Sequence, residues 1–423
     1  MGGFQTNDGG VKQDMMKSEQ CLKDGCAGAR HAENEIQRKM APRDLRCLGE
    51  QLYISALVVF IGLTLFDQKT MLSEMLPSWL FSMGRYACLA LMVAKILICR
   101  DFEHYDRPAI MRILLASAIC GAATVVSGSR LPLHYLIIII AAYGVAFEHI
   151  ARSVLIAELL MVFAVMFSAL FGLIPNDFHI RNSNGVIRHN LGFAFAAYPA
   201  IFTYYLSTLY LFVRKERVKP LESGAIVILN SVLFILTDTK TELIMAVCAV
   251  VGFMLLRRNS AVVGKMLRHI SVWIMPVLTV LSIILAAGYR ADNPVYRDLN
   301  SALSGRLSLA HKAMDEYGVT PFGNEIEWID LSTIEAEGLE PSAHNIVDNG
   351  YLHILYNYGY VFLAAFILAY LNTLRWCIAR GDLYTVLLIS IMAVHMFITP
   401  QMIQIIYNVT LVLLVATIIP RKS

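Results

Sequence analysis

Charge is scarce in this 423-residue sequence: Asp, Glu, Lys and Arg make up 16% of it, while apolar residues make up 57% and mean hydropathy is +0.58. A water-soluble chain of this length needs a charged surface around its core, so the composition excludes the ordinary soluble class and indicates a polytopic helical membrane protein. Familiar chemical motifs are missing too. There is no Walker motif, no GxGxxG following a strand and no HExxH. Nothing therefore points to nucleotide, dinucleotide or zinc-peptidase chemistry. The polar opening lacks the apolar run of a cleavable signal peptide. Cysteine is sparse, with 8 in all: Cys21, Cys26 and Cys47 lie in the polar opening, and none lies between Arg290 and Gly359. No disulfide framework is implied, and Cys21 with Cys26 has no second pair to complete a zinc site.

What remains is a series of apolar runs, at 51–66, 77–98, 109–126, 132–147, 153–174, 191–213, 222–237, 241–256, 270–288, 358–374, 382–399 and 401–419. The fold expected is all-α: a polytopic bundle of about twelve transmembrane helices spanning 50–419. Residues 1–49 are expected to form a disordered cytoplasmic tail. Several runs are shorter than the ~20 residues that cross a bilayer upright, so their ends extend into the flanking polar residues. With the N-terminus inside, most of the 35 Lys and Arg fall on inner segments, including the tail, Arg214–Lys219 and Arg257–Arg268. This bias predicts both termini in the cytoplasm and one large extracytoplasmic loop, 289–357, between spans nine and ten.

Cations on the outer side run against that bias and call for another reason. They include Arg181 and Arg188 in NDFHIRNSNGVIRHNLGF, Lys240 in TDTKTE, and Arg306 in SGRLSLAHKAM. Separate turns converging cations on one side make a seat for a polyanion, and a lipid-anchored pyrophosphate is the polyanion that belongs at a membrane surface. The long loop ends in HNIVDNGYLHILYNYG. On a helix, His344 and Asp348 share a face. A carboxylate or imidazole there is placed to take a proton from a sugar hydroxyl acting as nucleophile. Asn345, Asn349, Tyr351 and His353 are the candidates for contact with a glycan. Arginines supply the charge stabilisation that a leaving pyrophosphate needs, so neither metal nor other cofactor is called for.

These elements resemble the bacterial O-antigen polymerase and O-antigen ligase superfamily of membrane proteins. The resemblance rests on the number of spans, RHNLGF at Arg188–Phe193, TDTKTE at Thr237–Glu242, SGRLSLAHKAM at Ser304–Met314, PFGN at Pro321–Asn324 and the HNIVDNGYLHILYNYG segment. It implies glycan transfer from undecaprenyl diphosphate on the outer face of a bacterial inner membrane, with Arg188 and Arg306 gripping phosphate. The ligase branch ends its loop in His-Asn followed, after nine residues, by Gly. Here that spacing to Gly359 is met by Asp348-Asn349, with His344-Asn345 earlier. The resemblance thus favours a repeat-unit polymerase, with Asp348 and His344 as catalytic residues, over a ligase. A lipid-linked oligosaccharide flippase is a further alternative. Expected partners are lipid-linked glycans, membrane lipids and a chain-length regulator or flippase, with no nucleic acid.

Overall fold

The computed structural model describes residues 42–180, 185–329, 340 and 344–420. The chain divides into two units, Met1–Gln51 and Leu52–Ser423. Of the first, only the start of α1 (Pro42–Lys69) is described, so helix begins inside the segment expected to be tail. The second unit continues with α2 (Ser78–Ile98), α3 (Arg107–Ser127), α4 (Leu131–Ala141), α5 (Phe147–Leu170) and a hairpin, β1 (Phe178–Ile180) with β2 (Ile187–His189). It then runs through α6 (Tyr198–Arg214), α7 (Pro220–Thr237), α8 (Lys240–Arg258) and α9 (Ser260–Gly288). The short helices α10 (Pro294–Ala302) and α11 (Arg306–Tyr317) follow, before α12 (Gly350–Ala379), α13 (Leu383–Met396) and α14 (Val415–Ile418).

Among the described residues, seven helices are long and apolar enough to cross a membrane: α1 from Leu45, α2, α3, α5, α7, α9 and α12. The other apolar runs form shorter or more polar elements. Two of these lie at the centre. From Pro199 to Leu209 every residue of α6 is buried, and so is every residue of α13 from Thr385 to Ala393. A helix apolar all round has no face for water or lipid and belongs inside a bundle. Accordingly α6 packs against α5, α7, α8 and α13, while α13 packs against α8, α9 and α12.

Two runs end differently from their hydropathy. The run from 191 becomes helix only at Tyr198, because Leu191 (φ 51°) and Gly192 (φ 84°) turn the chain in the left-handed region. A Cβ on Gly192 would lie 2.7 Å from Ile174 and 3.1 Å from the Val165 carbonyl oxygen, so the turn needs glycine. The segment that follows pairs with the end of α1 through Met71 N–H to the Gly192 carbonyl and Ala194 N–H to the Lys69 carbonyl. The run 401–419 is not one helix but a 3-10 turn at Gln401–Ile403, a 3-10 segment at Val409–Leu414, and α14. Side chains satisfy the backbone that this break frees: the Tyr135 and Tyr205 hydroxyls accept from the N–H groups of Ile405 and Val409.

The PFGN turn has a specific seat. Helix α12 is broken at Gly359 (φ 82°, ψ 171°), and the turn docks into the break. Asn324 donates from its backbone N–H and from Nδ2 to the Tyr356 carbonyl. In return, Tyr360 N–H reaches the Thr320 carbonyl and Val361 N–H the Pro321 carbonyl. The backbones approach so closely that a Cβ on Gly323 would sit 1.9 Å from the Asn357 oxygen, and one on Gly359 would sit 2.3 Å from the Pro321 oxygen. Both glycines also have positive φ, so neither position accepts a side chain without strain. This clamp fixes the long loop to the first half of α12.

Candidate functional site

The loop cation and the loop carboxylate meet. Arg306 opens α11 after the tight turn Ser304-Gly305, whose φ angles are 55° and 84°. Its Nε donates to Asp348 Oδ2 at 3.0 Å, with both side chains 35% exposed. The contact uses Nε rather than the two-pronged fork of the guanidinium. Helix α11 is held beneath by His311 Nδ1 against the Ala286 carbonyl and by the Tyr356 hydroxyl, which donates to the Ala310 carbonyl. His344 and Asp348 do not share a helical face, because residues 344–349 are irregular and α12 starts at Gly350. Physically, the helix starts where its cap is. Asn349 accepts from the N–H groups of Tyr351 and Leu352, so the cap is Asn349 and Asp348 is left to its own chemistry. The His344 carbonyl accepts from Lys312 Nζ at 3.4 Å.

The second group lies on the hairpin and the α7–α8 turn. Arg188, on β2, donates from Nε to the Thr237 carbonyl at 2.7 Å, and its guanidinium lies 5.6 Å from the Phe195 ring centroid. Thr237 ends α7, Asp238 takes the left-handed conformation and exposed Lys240 begins α8. Arg188 and the TDTKTE turn are therefore brought together. Arg181 lies outside the described residues.

The proposed glycan contacts are heavily engaged in structure. Asn345 is buried; its Oδ1 accepts from Ile329 N–H, while Nδ2 donates to the Tyr317 hydroxyl and the Glu327 carbonyl. Burial pushes the Tyr317 hydroxyl above its ordinary range, which keeps this partner neutral. Asn349 uses Oδ1 for the cap and Nδ2 for Ser282 Oγ and the Phe397 carbonyl. Tyr351 is fully buried and its hydroxyl donates to the Ala393 carbonyl. The His353 ring stacks on Trp328 with centroids 4.9 Å apart, and Asn357 Nδ2 lies 3.0 Å from its Nδ1. Of these four, His353 with Trp328 is the pair that offers an aromatic surface.

Two residues outside the sequence-based set meet between α8 and α13. Glu242, in the first turn of α8, lies with Oε1 3.8 Å from Nε2 of His395 in the last turn of α13. Two residues beyond His395, the Phe397 carbonyl holds Asn349, next to Asp348. The sequence signal for His395 was a lone histidine in an apolar run. Glu242 closes the TDTKTE element already singled out for Lys240. Lys69 is buried as well, its Nζ 4.9 Å from the Tyr198 ring centroid. Among the described residues no group of three or more His, Cys, Asp or Glu is arranged to hold a metal.

The fold and its long apolar helices define a multi-pass α-helical membrane protein. No family model matches the chain, and no curated protein or solved structure matches it either.

Proposed function

We propose that this protein polymerises undecaprenyl-diphosphate-linked oligosaccharide repeat units into a surface polysaccharide, at the outer face of a bacterial inner membrane. The observation that carries the reading is the Arg306–Asp348 contact, in which a cation fit for phosphate and a carboxylate fit for a base lie side by side at the mouth of α12. In this reading Arg306, with Arg188 and Lys240, holds the donor diphosphate, and the arriving anion releases Asp348 from its arginine. The freed carboxylate takes the proton of the acceptor hydroxyl as its oxygen attacks the anomeric carbon. The bond from that carbon to the diphosphate breaks, and the lipid diphosphate leaves as an anion paired with the arginines. Asn345, Asn349 and Tyr351 hold the loop and α12 in place, and Trp328 with His353 offers the stacking surface for a sugar ring. Twelve crossings with both termini in the cytoplasm belong to this proposal.

The test is a deletion strain analysed for surface polymer length and lipid-linked intermediates. Single repeat units on lipid, accumulating outside the inner membrane, are the result expected. Accumulation inside indicates a flippase, and full-length polymer left unattached to lipid A–core indicates a ligase.

A further inference from the structure

The interior holds polar groups that the proposed transfer does not use. His395 is 0% exposed and neither of its ring nitrogens has a hydrogen-bond partner. Glu242 is 5% exposed, and its Oε2 is likewise without one. The 3.8 Å between the imidazole and the carboxylate lies within ion-pair range but beyond a hydrogen bond. On the other side the imidazole packs against Tyr204 of the central helix α6, with ring centroids 4.5 Å apart. An ionised carboxylate beside a neutral imidazole leaves a net charge in this apolar interior, which is strongly unfavourable. A proton on either partner removes that net charge. The buried polar residues of α9 are Ser271, Thr279 and Ser282, and its Lys265, Arg268 and His269 are exposed. From α12 come Tyr351, already bonded to the Ala393 carbonyl, and Asn349. On α6 the titratable neighbour is Tyr204, and on α8, besides Glu242, it is Cys248. The 401–403 turn contributes Gln401, and Asp382 caps the opposite end of α13.

We propose that Glu242 and His395 form an intramembrane proton-binding site, in which the carboxylate and the imidazole share one exchangeable proton. The ligand is the proton itself, carried in on water from the Lys240 end of α8 and the Met396 end of α13. The site is independent of the glycan reading: it stands on two buried groups from helices that meet only in the folded bundle. A proton bound here removes the net charge between α8, which starts at Lys240, and α13, whose end anchors Asn349.

Infrared difference spectroscopy between acidic and alkaline buffer, on the full chain in lipid nanodiscs, reads the site through carboxyl and imidazole bands. The wild-type protein is expected to show one reversible transition that depends on both groups. Glu242→Gln removes the carboxyl signal and displaces the imidazole transition. His395→Gln removes the imidazole signal and displaces the carboxyl transition. Glu158→Gln, at the buried carboxylate on α5, leaves both in place. Where Glu242→Gln does not accumulate in the membrane, the His395→Gln shift alone decides. Unchanged spectra in His395→Gln overturn the proposal, as does a transition driven by sodium at fixed pH.

Discussion

At the scale of single residues, the magnitude of the Arg306–Asp348 contact separates stability from chemistry. A pair with both partners 35% exposed is worth about 0–1 kcal/mol. Arg306→Ala is therefore expected to leave thermal stability in detergent within about 1 kcal/mol of wild type while polymer synthesis is lost. Lysine is expected to rescue poorly, because a point charge does not reproduce the planar fork on a phosphate. Wild-type polymer from Arg306→Ala removes the centre of the proposed function. Asp348→Asn keeps shape and hydrogen bonding but loses the base, so chain growth from a lipid-linked repeat unit by purified protein is expected to fall by roughly two orders of magnitude or more. A capping role for Asp348 is already answered, since the α12 cap is Asn349. Asn349→Ala removes that cap and leaves two partners unmet, and is expected to destabilise by roughly 2–4 kcal/mol, read from the melting of purified protein. Activity lost in Asp348→Asn with stability kept, against stability lost in Asn349→Ala, is the pattern the geometry requires.

At the scale of elements, the clamp between PFGN and the break in α12 makes the loop's position depend on two glycines. Gly359→Ala places a methyl against the Pro321 backbone at a residue with positive φ, and backbone has nowhere to retreat. It is expected to lower the melting temperature of the purified protein and to make residues 320–329 accessible to protease, whereas Gly121→Ala, with open space at its Cβ, does neither. Equal protection of 320–329 in Gly359→Ala and wild type refutes the clamp. The sequence made the apolar runs, the outer cations and the PFGN element legible, because each is local in composition. It did not make the clamp legible, because Asn324 and Tyr356 become partners only when the loop folds back. Hydropathy placed the start of a span at 191, since Leu, Gly and Phe count as apolar whether or not the backbone turns. The helical face drawn for His344 and Asp348 failed for a related reason: one cap residue, Asn349, decides where helix begins. Likewise Glu242 and His395 are far apart in the chain, and no spacing rule links α8 to α13.

At the scale of the whole molecule, the seven long apolar helices and the twelve apolar runs describe different aspects of one bundle. A 17-residue helix such as α6 spans ~25 Å and the 14-residue α13 ~21 Å, both short of a ~30 Å hydrocarbon core. Buried over most of their length, they need little lipid-facing surface, and in the proposed twelve-crossing arrangement non-helical backbone would complete their crossings where protein surrounds it. In that arrangement the segments that would do so are Asn190–Ala197 before α6, tied to the end of α1, and the stretch after α13, whose Phe397 carbonyl holds Asn349. The twelve crossings of the proposed function would place Arg214–Lys219 and Lys265–Arg268 on the cytoplasmic side and the Arg306–Asp348 pair outside. Reporter fusions after Lys219 and Arg268 are expected to behave as cytoplasmic, and a fusion after Gly318, just beyond α11, as external. The Gly318 fusion carries the most weight, because one crossing fewer among the first nine moves the whole loop to the other side. A cytoplasmic signal there would separate Arg306 and Asp348 from any donor presented at the outer face, and the proposed transfer would have no site.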